Sequence, residues 1–200
     1  MMRTVHPIEL ESYRILRERI DLAHLPPLSR AVAERIIHAS ADLEYARTLV
    51  LDEDALEAGR AALAAGAPVV VDARMVAVGI TARESWCPLT DPDVPALAAA
   101  AGITRSAAAF RLAAQQAGAG AVWVVGNAPT ALLELLERPP AAPALVVGLP
   151  VGFVGAAEAK AALSRSGLPM LTNCGEKGGS AVAAAAINAL LYSFDKEPAA

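Results

Sequence analysis

The chain has 200 residues, 55% hydrophobic and 19% charged, which predicts one domain over residues 1–200 around one core and excludes low-complexity disorder. Its 17 Lys and Arg against 21 Asp and Glu leave a net charge of -4, so there is no cationic field for a phosphate backbone and nucleic acid is excluded as a partner. Met1–Glu11 holds charges and a proline where a signal peptide needs an apolar core, and the Ala-rich run Ala181–Tyr192 is broken by Asn188, so the sequence predicts no membrane span and a cytoplasmic location.

The first third reads as helical. Ile8, Ser12, Ile15, Leu16 and Ile20 share one side of a first helix that Pro26-Pro27 brings to an end. Ser29 is the expected N-cap of a second helix running to about His38, with Leu28, Val32 and Ile36 as its buried stripe. Asp42 is the expected cap of a short third helix, and a fourth over Glu53–Ala65 stops at Gly66 and Pro68. Beyond it, apolar runs alternate with helical stretches: Val69–Val71, a weaker run over Trp86–Leu89, Val122–Val125, Leu145–Val147 and Pro169–Thr172. Gly102 ends one helix in this region and Thr104 caps the next, while Asp195–Ala200 is expected to fray. Continuous apolar strands, each returning through a helix, predict a three-layer α/β/α sandwich with a mainly parallel five-stranded sheet and a helical N-terminal segment.

Ligands of open parallel sheets bind beyond the strands' carboxyl ends, which directs attention to three small-residue loops. These are Gly126–Thr130, Gly148–Gly155 and Asn173–Ser180, each leading into a helix whose N-H groups favour an anion. Tight turns and helix packing account for such glycines equally well. No dinucleotide fingerprint or P-loop is present. His6, His24 and His38 do not cluster, so no protein-bound metal is expected. Cys87 and Cys174 form no CxxC pair and read as reduced, partly buried thiols. His38 stands at a helix end, where the partial negative charge favours the imidazolium and suits a proton donor, although a structural histidine there feels the same field. Arg105 opens a helix against the dipole preference, which an anionic ligand or a structural carboxylate would offset.

Eight segments in order carry a resemblance over nearly the whole chain: His6-Pro7-Ile8-Glu9 through Ile15, Glu34–Ala39, Ala65–Val76, Gly79-Ile80-Thr81, Thr104–Ala108, Gly126–Leu132, Gly148–Glu158 and Gly178-Gly179-Ser180-Ala181. Together they resemble the precorrin-8X methylmutases, the precorrin isomerases of cobalamin biosynthesis. The resemblance implies a flavodoxin-like fold, a homodimer with its active site near the subunit interface, a corrinoid substrate and no cofactor. It implies movement of a methyl group between adjacent ring-C carbons, giving hydrogenobyrinic acid, or cobyrinic acid where cobalt was inserted early. His38 matches the family's catalytic histidine; Ser12, Thr81, Arg105, Asn127, Gly178, Gly179 and Ser180 match positions that line the macrocycle site. Tyr13 departs from a common Phe, Ser40-Ala41 from a small residue followed by Gly, and Glu176-Lys177 from the usual residues before Gly-Gly-Ser. A non-catalytic corrinoid carrier on the same fold and a nucleotide- or flavin-dependent α/β enzyme are the competing readings.

Overall fold

The computed structural model describes residues 6–193; the fraying expected of Asp195–Ala200 lies outside them. Helices α1 (Pro7–Arg19), α2 (Pro27–Ser40) and the single turn α3 (Tyr45–Thr48) precede β1 (Leu49–Leu51) and α4 (Glu53–Ala64). Then come β2 (Val69–Val71), α5 (Arg74–Gly79), a 3-10 turn (Pro88–Thr90), α6 (Val94–Ala101) and α7 (Arg105–Gln116). The chain closes with β3 (Val122–Val125), α8 (Pro129–Glu137), β4 (Leu145–Gly148), α9 (Ala156–Leu163), β5 (Met170–Asn173) and α10 (Ser180–Ser193). No helix among the described residues is long and apolar enough to cross a membrane.

The five strands pair in the order β1-β5-β4-β3-β2, with β2 to β5 parallel and β1 antiparallel at the edge. Alternate strand residues enter two separate cores. Val69, Val71, Val122, Val124, Leu145 and Val147 pack with α2, α4 and α10, whereas Val70, Trp123, Val125 and Val146 pack with α7, α8 and α9. Both faces are therefore covered by helices, which is why the parallel strands read as unbroken apolar runs. The architecture is the expected mainly parallel sandwich. After β4 the chain turns to α9 on one face, and after β5 to α10 on the other. The two loops part at the sheet's carboxyl edge, the kind of place where α/β sheets bind ligands.

The fifth strand is not the run at Trp86–Leu89. Trp86 makes only an isolated bridge to Val70, and Pro88, which has no N-H to give a ladder, starts the 3-10 turn. The fifth strand is β1, three half-buried residues confined between a helical turn and Asp52. Ser29 is not an N-cap either: α2 starts at Pro27 without a side-chain cap of its own. The carboxylate of Glu53 serves instead, accepting from Leu28 N and Ser29 N at 2.8 Å and from Ser29 Oγ at 2.6 Å. Asp42 accepts from Glu44 N at 3.0 Å, a turn just ahead of α3 rather than its cap. On α1, Leu16 is buried as expected, but Ile8 is 74% exposed, while the next residue, Glu9, turns to Arg35 of α2.

Helix α2 ends on Ala41 in the left-handed conformation, at φ 54°. A Cβ costs roughly 1–2 kcal/mol there, partly offset by the smaller backbone entropy Ala brings to the unfolded chain. Ala41→Gly is expected to add about 0.5–1 kcal/mol of stability and raise Tm by about 2 °C. Thermal unfolding checks this, and a lower Tm in the variant would contradict it.

Candidate active site

Helix α1 lies across α2, and the packing brings Ser12 Oγ to 2.8 Å from His38 Nδ1. His38 is half-buried in the last turn of α2. Tyr13, the next residue of α1, stacks on the imidazole with ring centroids 4.9 Å apart and planes 13° from parallel. One side chain thus holds the ring's edge and another its face. When Ser12 donates to Nδ1, the neutral ring carries its proton on Nε2. The contacts continue away from His38. Arg35 donates to the Tyr13 hydroxyl at 3.3 Å, pairs with Glu9 at 2.5 Å and lies over the Tyr192 ring, 5.2 Å from its centroid. The Tyr192 hydroxyl meets Thr81 Oγ1. Thr81 is also held through its backbone N-H, which donates to Asn188 Oδ1 at 3.1 Å, while Asn188 Nδ2 donates to Gly79 O at 2.7 Å. Asn188, the interruption in the Ala-rich run, is thus an anchor for the Thr81 loop.

At the sheet's carboxyl edge the three glycine loops are not equivalent. Asp72, buried directly after β2, accepts from Gly126 N at 2.9 Å, Asn127 N at 2.8 Å and Ala128 N at 2.6 Å. These were N-H groups expected to face an anionic ligand, and the protein's own carboxylate already occupies their place. Burial pushes the Asp72 carboxyl above its ordinary range, against the pull of the three donors. Asn127 can therefore offer a ligand only its exposed side chain.

The turn before α10 is built differently. Gly179 N donates to Leu149 O at 2.9 Å, and a Cβ at Gly178 would stand 2.4 Å from Leu149 O and 2.5 Å from Pro150 O. Only glycine fits that close approach, so the turn is pressed against the β4–α9 loop, and Ser180 is buried as the first residue of α10. Arg105 is exposed in the first turn of α7. Thr104 caps that helix through Ala107 N at 3.2 Å, and its hydroxyl reaches Thr130 at 2.8 Å. Cys87 is half-buried, whereas Cys174 is exposed in the β5–α10 loop, contrary to the expectation of two partly buried thiols.

Beneath the β5–α10 turn lies Lys160, 1% exposed. Its Nζ donates to Lys177 O at 2.6 Å and to Asn173 Oδ1 at 3.1 Å, while Asn173 Nδ2 donates to the same Lys177 O at 2.9 Å. Burial pushes the Lys160 ammonium down to about 8, with Glu176 and Cys174 acting in the opposite sense. The side chain of Lys177 points the other way, reaching Asp42 at 2.7 Å and Glu44 at 2.6 Å just beyond the end of α2. Those two carboxylates hold the Lys177 ammonium above its usual range.

The sequence-predicted residues thus fall into two groups. Ser12 and His38 touch, and Thr81 joins them through Tyr192, Arg35 and Tyr13. Gly178, Gly179, Ser180, Asn127 and Arg105 lie along the carboxyl edge. Helix α10 carries Ser180 at its start and Tyr192 near its end, about 18 Å apart along the axis. His38 is linked toward Tyr192 by the aromatic contacts and toward Gly178 by the pairing of Asp42 and Glu44 with Lys177. An open groove of about 830 Å³ runs beside Thr81, with Val78, Ile80, Arg83 and Ser85 in its wall. Asp72, Lys160 and Asn173 were not among the predicted residues, although the first two left signals. Asp72 directly follows an apolar strand, and Lys160 shares a helical stripe with Ala156, Ala159 and Leu163, all buried.

Residues 7–193 match the family model described as precorrin-8X methylmutase. The precorrin-8X methylmutase of a Sinorhizobium species is 44% identical, with 94% of this chain and 95% of that protein covered. The cobalt-precorrin-8 methylmutase of Priestia megaterium is 39% identical, over 96% of this chain and 90% of its own. The solved structure of the Thermus thermophilus precorrin-8X methylmutase superposes with a TM-score of 0.84 at 41% identity, covering 93% of this chain and 96% of that one.

Proposed function

The chain belongs to the precorrin-8X methylmutase family, and from that premise we propose that His38 is the acid that drives a methyl shift on a corrinoid acid bound between α2 and the sheet's carboxyl edge. The protein is a methyl-shifting isomerase of cobalamin biosynthesis. The rearrangement moves a methyl group within one molecule, between adjacent ring-C carbons, and consumes no oxidant or reductant. As the imidazolium, with Nδ1-H donated to Ser12 Oγ, His38 lends its Nε2 proton, or a hydrogen bond that strengthens toward full transfer, to the conjugated ring system and becomes the neutral ring. Electron density is drawn along the conjugation, the methyl migrates with its bonding pair, and the proton returns to His38. Protons and electrons balance over the cycle. Such general acid assistance is worth about 10²- to 10⁴-fold.

The observation that carries this reading is the seat of the imidazole: Ser12 Oγ at 2.8 Å from Nδ1 and Tyr13 stacked on its face. Fixing the ring in one orientation before substrate arrives avoids that ordering in the transition state. Binding of the peripheral carboxylates falls to Arg105, the Asn127 side chain and the turn Gly178-Gly179-Ser180, with Thr81 on the far side of His38. The working unit is the single domain spanning the chain, acting in the cytoplasm as a homodimer with its site near the subunit interface. Two things support the dimer: the separation of the two residue groups along α10, and uncovered apolar side chains beside them. Ile8 stands one helical turn before Ser12, and Val78, 82% exposed, three residues before Thr81.

Incubating the purified protein with metal-free and cobalt-containing substrate side by side, each carrying an isotope-labelled methyl, tests the assignment. Turnover is expected to move the label to the neighbouring ring-C carbon and to change the macrocycle's absorption. A protein that binds either macrocycle and returns it with the methyl in place is a carrier, and the isomerase mechanism fails.

A further inference from the structure

The geometry points to Lys160 as a positioning residue, one that sets the Lys177 carbonyl and thereby holds the Gly178-Gly179-Ser180 turn in its binding conformation. The inference rests on the reading that this turn takes substrate carboxylates. An ammonium among the apolar side chains of Ala156, Ala159 and Leu163 is expensive to desolvate, and no carboxylate among the described residues lies within ion-pair distance of it. A methionine would fill the same space without that penalty. What the ammonium supplies is a charge-assisted hydrogen bond of 2.6 Å to a single carbonyl, reinforced by Asn173 Nδ2 on the same oxygen at 2.9 Å. Two donors converging on one acceptor leave Lys177 O little freedom.

The position of Lys177 matters on both sides. In the forward direction, the next residue is Gly178, wedged against Leu149 O and Pro150 O, followed by Gly179, whose N-H is bonded to Leu149 O. The turn is therefore gripped from the β4–α9 loop above and from Lys160 and Asn173 below. In the other direction, the Lys177 side chain binds Asp42 and Glu44, immediately after the helix whose last turn carries His38. Lys160 also places a buried positive charge directly behind a turn assigned to anions, where the low local dielectric strengthens its effect. At 1% exposure it lies behind the turn, out of a ligand's reach, so its influence belongs to binding rather than to the chemical step.

The test compares Lys160→Met and Gly178→Ala with the parent protein, reading Tm, kcat and KM on the corrinoid substrate and Kd for the corrinoid acid product. Lys160→Met is expected to keep or raise Tm, leave kcat within about twofold, and raise KM and Kd about tenfold, the equivalent of roughly 1.4 kcal/mol. Unchanged KM and Kd in a folded Lys160→Met protein, with both raised in Gly178→Ala, overturns the positioning role alone. Unchanged affinity in both variants removes the turn from the binding site, and the role of Lys160 falls with it. Should Lys160→Met not fold, Asn173→Ser, which withdraws the second donor from the same carbonyl, must raise KM in the same direction; an unchanged KM there overturns the inference.

Discussion

Asp72→Ala is expected to destabilise the protein by about 3–5 kcal/mol, because it strips the acceptor from three N-H groups at once. In the native fold Gly126, Asn127 and Ala128 all donate to this one carboxylate, which is 3% exposed. Among the described residues no other side chain accepts from these three N-H groups, and a methyl group would leave the donors facing a polar void. For a chain of this length the loss corresponds to a fall in Tm of roughly 10 °C or more. Thermal unfolding reads it, and a shift below about 2 °C would mean that the loop holds itself. The pH dependence has an unusual sign for an aspartate. Burial raises the carboxyl in the folded state above its ordinary value of 3.8, so the native state binds this proton more tightly than the unfolded chain. The group's contribution to stability is therefore fully present below the unfolded value and declines as pH rises through the folded one. Asp72→Ala should remove that decline from the pH profile of Tm.

The layered fold was legible because four parallel strands are buried on both faces and so announce themselves as unbroken apolar runs. Edge elements were not. Leu49–Leu51 is three residues long, and an apolar triplet between helices carries no period by which to distinguish strand from helix. Trp86–Leu89 has the composition of a strand, but Pro88 limits it to a single bridge. The start of α2 shows a second limit. Its cap is the carboxylate of Glu53, 24 residues beyond Ser29, and no local motif can reveal a partner chosen by tertiary packing. The site divides in the same manner. His38, Ser12 and the Gly178-Gly179-Ser180 turn were named from family resemblance, whereas the 2.8 Å contact between Ser12 and His38 depends on how α1 crosses α2. The glycine loops marked the carboxyl edge correctly, yet composition could not show that Asp72 fills one of them. Lys160 could have been found from the sequence alone, since its place in the apolar stripe of α9 marks it as buried.

The largest functional effect is expected at His38. On the proposed mechanism, removing the imidazole takes away the proton donor and leaves the Gly178-Gly179-Ser180 turn and Arg105, the groups proposed to bind carboxylates, untouched, so His38→Ala should bind the macrocycle about as well as the parent protein. The loss of stacking on Tyr13 should lower stability by about 0.5–1.5 kcal/mol, which the fold tolerates. The chemical step should slow by about 10²- to 10⁴-fold, the contribution of a positioned general acid. Single-turnover kinetics of His38→Ala, followed by the absorption change of the bound macrocycle under saturating enzyme, separates this loss from any change in affinity. The account predicts a folded, substrate-saturated variant whose methyl group stays where it was for at least a hundredfold longer than in the parent; a rate within a few-fold of the parent would contradict it and take His38 out of the reaction.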